Sequence, residues 1–237
     1  MNKAKIGIVV AVEIGAVLSR YGEPCETQKL QGYTVRTYRG DSFDMFVVDS
    51  GAGEISAAMS TQLLIDRFGV DMILNFGAVG ALTEEMKTSE LCVVKSVIHY
   101  DFDTTGWLNL KRGQYPGNSS PYLEATPELV RRVLELKPDI IPTVCASADK
   151  FIDKAEDKIA LREAYGADIC EMEAAGILLT CLRNDIPCLL IKAVSDSLIG
   201  GGAEFLQELE RVSLVCFDVV DKLLQEIYAI EAKGGKR

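Results

Sequence analysis

Several features that would assign a chain to a common class are missing from these 237 residues. Basic residues are outnumbered by acidic ones, 25 against 35, and the formal net charge is −10. Binding to nucleic acid or to an anionic membrane surface depends on clustered Lys and Arg, so the charge balance disfavours both partners and favours a small-molecule ligand. No uninterrupted apolar run reaches the roughly 20 residues that span a bilayer. We therefore expect no membrane segment.

Signals for metal and nucleotide cofactors are also missing. The chain has one histidine and seven cysteines, and no two cysteines form a Cys-x-x-Cys pair. A zinc site would need such a grouping, so we expect no metal. The cysteines lie mostly inside apolar segments, which is typical of buried thiols in a reducing cytoplasm. Neither a Gly-x-Gly-x-x-Gly nor a Gly-Lys-Ser/Thr motif occurs, which disfavours nucleoside-triphosphate chemistry, and no organic cofactor is implied.

What is present is a regular alternation of strand and helix patterns. Residues 5–12 are almost continuously apolar and β-branched, the pattern of a strand that is covered on both faces. Residues 54–68 carry apolar side chains at helical spacing, and a long amphipathic helix follows Gly202. No linker or repeat interrupts the alternation. We predict one α/β domain over residues 1–237, with a central mixed, mostly parallel sheet flanked by helices.

Two short segments, residues 170–176 (CEMEAAG) and 194–196 (VSD), place acidic side chains beside apolar runs. Both stand at the predicted carboxyl ends of strands, where open α/β sheets bind ligands. Carboxylates are costly to bury without a partner, so Glu173 and Asp196 are candidate site residues. A purely structural interpretation stays open, because either carboxylate could cap the N-terminus of a helix or stabilise its positive end.

The motifs and their order along the chain resemble the nucleoside phosphorylase superfamily of purine nucleoside phosphorylases and methylthioadenosine/S-adenosylhomocysteine nucleosidases. The resemblance rests on the opening strand and on residues 50–53, 75–80, 147–152, 171–176 and 193–196. Residues 101–105 and 113–117 are similar to the nucleosidase branch, as is Asn75, where bacterial hexameric phosphorylases carry a phosphate-binding arginine. The resemblance implies an enzyme that acts on purine nucleosides in the cytoplasm, with a part in methionine salvage.

The resemblance also implies roles for particular residues. Cleavage of the bond between ribose and purine requires a proton donor for the base, a partner for the ribose hydroxyls and a nucleophile for the anomeric carbon. Asp196 matches the acid at the purine N7, and Glu173 matches the acceptor of the 2′- and 3′-hydroxyl hydrogen bonds. The other residues that match substrate-binding positions are Gly80, Phe151, Ile152, Glu171, Met172 and Ser195.

The nucleophile subsite departs from the nucleosidase pattern at three positions. An alignment without gaps puts Gly15 where the nucleosidases carry the water-activating glutamate, Ala78 where they carry a serine and Lys192 where they carry an arginine. Glu13 is two residues earlier, and on a helix it would point about 200° away from that position. The phenylalanine of the 5′-alkylthio pocket is also expected to be replaced near Gly202.

The segment that follows the only histidine resembles the part of the nucleosidases that reaches the site of a neighbouring subunit. Within it, Trp107 and Pro116 are expected to cover the 5′ end of the partner's substrate. The resemblance therefore implies a homodimer.

Three functions stay open at this point. The first is hydrolysis of a purine nucleoside of the 5′-methylthioadenosine/S-adenosylhomocysteine type. The second is phosphorolysis, because Lys192 and the loss of a carboxylate could favour phosphate. The third is a catalytically impaired protein that binds nucleosides without cleaving them.

Overall fold

The computed structural model describes residues 3–234, which form ten strands and six helices. Residues 1–2 and 235–237, which the predicted domain includes, lie outside the described part. The strands are Ala4–Val10 (β1), Glu26–Leu30 (β2), Tyr33–Arg39 (β3), Phe43–Asp49 (β4), Met72–Ala81 (β5), Leu91–His99 (β6), Tyr122–Glu124 (β7), Ile141–Ser147 (β8), Ile169–Glu171 (β9) and Cys188–Asp196 (β10). The helices are Ile14–Tyr21 (α1), Glu54–Phe68 (α2), Pro127–Leu136 (α3), Ala155–Tyr165 (α4), Ala174–Arg183 (α5) and Gly202–Gly234 (α6).

All ten strands belong to one sheet with the order β10-β6-β8-β9-β5-β1-β4-β3-β2, and β7 pairs with β6. A further pairing joins β10 to β5, so that five strands form a closed ring. The long pairings β1–β4, β5–β10 and β6–β8 are parallel, whereas the hairpin β2–β3–β4 and the pairs β5–β9 and β6–β10 are antiparallel. The predicted α/β fold with a mixed central sheet is confirmed.

The main differences from the sequence-based prediction are short or polar strands. β2 (ETQKL) and β7 were not predicted, because neither segment shows an apolar alternation. β5 continues through the glycine-containing segment 77–80 to Ala81, since these residues pair with β10 and β9.

The parallel pairings fix the position of the candidate site. β5 lies between β1 and β10 and is parallel to both. The carboxyl ends of these strands, at Val10, Ala81 and Asp196, therefore lie at one edge of the sheet. Core side chains such as Ile8, Leu74 and Leu190 are fully buried behind that edge and hold the strands in register. In the described part of the chain, no helix has the length and apolar character that a membrane crossing requires.

Candidate active site

A cavity of about 240 Å³ opens at this edge of the sheet. Its lining contains both carboxylates that the sequence singled out and all six residues assigned to substrate binding. The lining residues are Ala11, Val12, Glu13, Ala52, Ala78, Val79, Gly80, Lys150, Phe151, Ile152, Cys170, Glu171, Met172, Glu173, Ser195, Asp196 and Phe205. The fold thus brings together segments that are up to about 190 positions apart in the sequence.

Glu173 directly precedes α5, and its carboxylate faces the cavity instead of capping the helix with a side-chain hydrogen bond. The backbone N–H of Gly53 donates to its Oε1 at 2.9 Å. Gly53 has a φ of 108°, a backbone conformation that favours glycine. A glycine at this turn therefore lets the backbone N–H point at the carboxylate of Glu173. Burial and, second, the charge of Glu171 raise the pKa of Glu173 to about 7. A group that titrates so close to neutrality is typical of a functional site.

Glu171 and Lys192 form a buried ion pair behind the cavity wall. Lys192 Nζ lies 3.2 Å from Glu171 Oε2, and both side chains are almost fully buried. Burial alone would lower the pKa of the Lys192 ammonium, but the charges of Glu171, Glu173 and Glu13 raise it above its ordinary value. Lys192 does not line the cavity, and its charge is paired with Glu171. Its predicted place in the nucleophile subsite stays a prediction.

Glu13 lines the cavity, contrary to the expectation that it points away. That expectation treated Glu13 as a residue inside α1, whereas it is the N-cap, with φ −93° and ψ 15°. Its side chain therefore turns back along β1, where Oε2 accepts hydrogen bonds from the backbone N–H groups of Ala11 at 3.2 Å and Val12 at 2.9 Å. Oε1 accepts a third one, at 3.2 Å, from the N–H of Ala78.

Gly15 is the second residue of α1, and its predicted place in the nucleophile subsite stays a prediction. It contributes to a groove between α1 and α6 and does not line the main cavity. A Cβ atom built on Gly15 would meet nothing within 4 Å, so no neighbouring group requires glycine there. Ala78 does line the cavity, next to the carboxylate of Glu13.

Asp196 is at the end of β10 and is held from two sides. Ser195 Oγ donates to its Oδ1 at 2.8 Å, and Lys158 Nζ donates to its Oδ2 at 2.6 Å. The side chain of Lys158 is fully buried. Sequence analysis missed Lys158, because α4 carries charged residues on most sides and a lysine there is usually solvent-exposed.

Aromatic and small residues form the remaining walls of the cavity. Phe151 is half-exposed, and its ring packs edge-on against Phe205, with a centroid distance of 5.7 Å. Phe205 also lines the cavity, because α6 begins at Gly202 and its first turn brings Phe205 to the site. The expected replacement of the 5′-pocket phenylalanine near Gly202 stays a prediction. At Gly80, a Cβ atom would lie 3.0 Å from Asp196 Oδ2, so glycine keeps space beside the acid.

Trp107 and Pro116 are not part of this cavity. Both are exposed, and Trp107 is 79% exposed. An indole with so much apolar surface in water is typical of a contact surface. Their role toward a partner subunit stays a prediction. Among the side chains that the structure describes, no cluster of three or more His, Cys, Asp or Glu is arranged to hold a metal ion.

Comparisons with known proteins show the family of this chain and proteins that share its fold. The family model described as "Phosphorylase superfamily" matches residues 5–225. The 5′-methylthioadenosine/S-adenosylhomocysteine nucleosidase of Staphylococcus aureus is 31% identical over 94% of this chain and 100% of its own. The nucleosidase of the same name from Helicobacter pylori superposes with a TM-score of 0.90 at 24% identity, over 95% of this chain and 100% of its own. The corresponding Colwellia psychrerythraea structure, a complex with adenine, has a TM-score of 0.84 at 29% identity, over 94% and 95% of the two chains.

Proposed function

The chain belongs to the phosphorylase superfamily, and from that premise we propose that it hydrolyses the N-glycosidic bond of a purine nucleoside. The expected substrates are 5′-methylthioadenosine and S-adenosylhomocysteine, after which the Staphylococcus aureus relative is named. The observation that carries the proposal is the presence in one cavity of Asp196, Glu173 and Glu13. These three groups supply a proton donor, a ribose partner and a base for water.

The proposed reaction assigns one step to each carboxyl group. Glu13 accepts a proton from a water molecule while the water oxygen bonds to the anomeric carbon. The bond between that carbon and the purine breaks, and its electron pair goes to the base, which receives a proton at N7 from the protonated form of Asp196. Glu173 accepts hydrogen bonds from the ribose hydroxyls, which strengthen as the sugar becomes cation-like. Val12, Met172 and Phe205 offer an apolar end for a thioether.

Glu13 could compensate for the loss of the nucleosidase glutamate at position 15. We propose that Gly15 stands where the nucleosidases carry their water-activating glutamate and that Glu13 takes over this role from the preceding turn. Its three backbone hydrogen bonds hold the carboxylate in place, which a general base requires. A protein that only binds nucleosides would have no need for a carboxylate at this position.

Hydrolysis fits the charges of the cavity better than phosphorolysis. Glu13, Glu171 and Glu173 would repel a phosphate dianion, and Lys192 is bound to Glu171. Among the described residues that line the cavity, Lys150 is the one with a cationic side chain. Its Nζ lies 3.4 Å from Asp157 Oδ2. No arginine belongs to the described lining.

We extend the proposal to assembly and location. The exposed Trp107 and Pro116 fit a homodimer in which each subunit covers the 5′ end of its partner's cavity. The reducing cytoplasm is the proposed location, because all seven cysteines are free thiols and six of them are buried.

The test is release of the free base from 5′-methylthioadenosine, S-adenosylhomocysteine, adenosine and inosine, followed by chromatography with and without phosphate. We expect adenine and a free pentose without phosphate, and a loss of about 100- to 10,000-fold in the Asp196→Asn variant. Strict dependence on phosphate would identify a phosphorylase. Binding without release from any of the four nucleosides would contradict both enzyme functions for these substrates.

A further inference from the structure

The N-terminus of α5, where Glu173 is the N-cap, takes its capping groups from other residues. A helix leaves the N–H groups of its first turn without intrahelical partners, and the side chain of the N-cap commonly accepts one of them. Glu173 makes no such bond. Instead, Glu171 Oε2 accepts hydrogen bonds from the N–H groups of Glu173, at 3.1 Å, and of Ala174, at 2.9 Å. The next two N–H groups of α5 are bound by residues from distant segments.

Ser147 and Glu54 bind these two groups. The N–H of Ala175 donates to Ser147 Oγ, at the end of β8, at 3.2 Å. The N–H of Gly176 donates to Oε2 of Glu54, the first residue of α2, at 2.5 Å. Ser147 Oγ also contacts Glu54 Oε1 and, at 2.5 Å, Glu171 Oε1. The three buried side chains therefore form one connected group that satisfies the N–H groups in the first turn of α5.

The residue type at position 176 fits this arrangement. Helices α2 and α5 pack against each other, and their N-termini meet at Glu54 and Gly176. A Cβ atom built on Gly176 would overlap with the carbonyl oxygen of Glu54 and would lie 3.0 Å from its Oε2. A glycine at this position therefore lets the two helices approach closely enough for the bond between Gly176 and Glu54.

Glu54 also stands next to a second partner of Glu173. The N–H of Gly53, the residue before Glu54, donates to Glu173 Oε1 at 2.9 Å. The N–H of Glu54 itself is held by Asp149 Oδ1 at 2.7 Å. Glu54 thus joins the turn that supplies the N–H of Gly53 to the helix that carries Glu173.

We propose that Glu54 is a positioning residue for Glu173: it caps α5 from α2, so that the carboxyl group of Glu173 is free to face the ribose hydroxyls. The inference rests on the proposed function and deepens it. Glu54 does not line the cavity, so it acts through Glu173. Without Glu54, the N–H of Gly176 lacks an acceptor, and the positive end of α5 attracts the nearest carboxylate. Glu173 then caps its own helix and turns away from the ribose.

The experiment is a double-variant cycle of Glu54→Ala and Glu173→Gln. It measures kcat/KM for adenine release from 5′-methylthioadenosine at a single pH. In the wild-type background, we expect Glu54→Ala to lower kcat/KM at least about tenfold, because Glu173 is no longer held toward the ribose. In the Glu173→Gln background, the same change should cost less than about threefold, because the carboxylate that Glu54 positions is already absent.

Two further variants separate capping from a general effect on the structure. Glu54→Gln keeps an oxygen that can accept the N–H of Gly176, so its kcat/KM should stay within about threefold of the wild type. Asp71→Ala is the matched control: Asp71 is exposed, and its Oδ2 accepts the N–H of Lys5 at 2.8 Å, near the start of β1 and β5. This control loses a bond of the same kind at the opposite ends of the strands and should retain activity in both backgrounds.

Equal losses for Glu54→Ala in the two backgrounds would overturn the inference, since a general structural effect does not depend on the carboxylate of Glu173. If Glu54→Ala does not fold, Glu54→Asp takes its place in the same cycle. Its side chain is one methylene shorter and no longer spans the distance to the N–H of Gly176. Failure of the proposed function looks different, since the wild type then releases no adenine. The same cycle is in that case measured as the Kd for adenosine by calorimetry.

Discussion

Glu13 reaches from the end of β1 to the neighbouring strand, where its Oε1 lies 3.2 Å from the backbone nitrogen of Ala78. This contact places a carboxylate in the cavity although Gly15, two positions later, has no side chain. It also pairs the carboxylate with a main-chain donor, which holds this oxygen in a fixed position. The proposed nucleophile subsite therefore depends on the N-cap of α1 rather than on its first turn.

The Glu13→Gln variant tests this assignment directly. Glutamine keeps the size of the side chain but cannot accept a proton from water, so we expect kcat for hydrolysis of 5′-methylthioadenosine to fall about 100- to 10,000-fold. KM should change little, because the ribose and base partners remain. Steady-state kinetics measures both constants. Glu210→Gln, at an exposed acidic residue of the groove between α1 and α6, is the matched control and should retain activity.

A double variant asks whether the two positions can exchange roles. Gly15→Glu in the Glu13→Gln background restores a carboxylate at the position that the alignment assigns to the nucleosidase glutamate. Nothing lies within 4 Å of a Cβ atom at Gly15, so the new side chain has room. Recovery of at least about tenfold in kcat would support a shared role for the two positions. Full activity of Glu13→Gln by itself would remove Glu13 from the mechanism.

Glu173→Gln should weaken binding to the ribose and remove part of the pH dependence. A hydrogen bond to a charged group contributes about 1.5–3 kcal/mol, so kcat/KM should fall about 10- to 150-fold. Because the pKa of Glu173 is raised to about 7, its carboxylate forms as pH rises through neutrality, and wild-type activity should increase over that range. The variant should lack this increase. A 2′-deoxy substrate should show a smaller ratio of wild-type to variant activity, and equal ratios would contradict the ribose assignment.

The sequence predicted the fold well where the signal is local. The helix over residues 54–68 has the bounds that its apolar spacing indicates, and the long amphipathic helix after Gly202 is also present. It failed at Glu13 and Lys158 for different reasons. The direction of the Glu13 side chain depends on whether Glu13 caps α1 or lies inside it. The two cases differ only in the φ and ψ angles of this one residue. Lys158 meets Asp196 across 38 positions, and no local pattern encodes that contact.

Glu54 should make folding stability depend on pH. Burial and, second, the charge of Glu171 raise the pKa of Glu54 to about 8, and Ser147 Oγ lies between the two carboxyl groups. Below about pH 4.5, both the folded and the unfolded chain hold this proton. Between about pH 4.5 and about pH 8, the unfolded chain releases it while the folded chain keeps it, so the free energy of unfolding falls as pH rises.

Glu54→Gln removes that titration. We expect the variant to gain about 2–4 kcal/mol relative to the wild type when the pH is raised from about 5 to about 8.5. Urea unfolding at the two pH values measures the difference, and an exposed acidic residue, Glu210→Gln, controls for the general effect of a lost charge. If the free energies of unfolding of the variant and the wild type differ by the same amount at both pH values, Glu54 is ionised in the folded protein.

Mixing two variants tests whether Trp107 serves the site of a second subunit. Trp107 is 79% exposed, and it does not line the cavity of its own chain. In the proposed homodimer, Trp107→Ala raises KM in the partner's site, whereas Asp196→Asn inactivates its own site. A mixed dimer then holds one site with both an intact acid and an intact indole. Activity at low substrate concentration should therefore rise on mixing, up to about half the wild-type value per mixed dimer.

Sedimentation must show dimers in the same samples. If the mixture is only as active as the sum of the two separate variants, although the subunits have exchanged, Trp107 does not serve the partner's site.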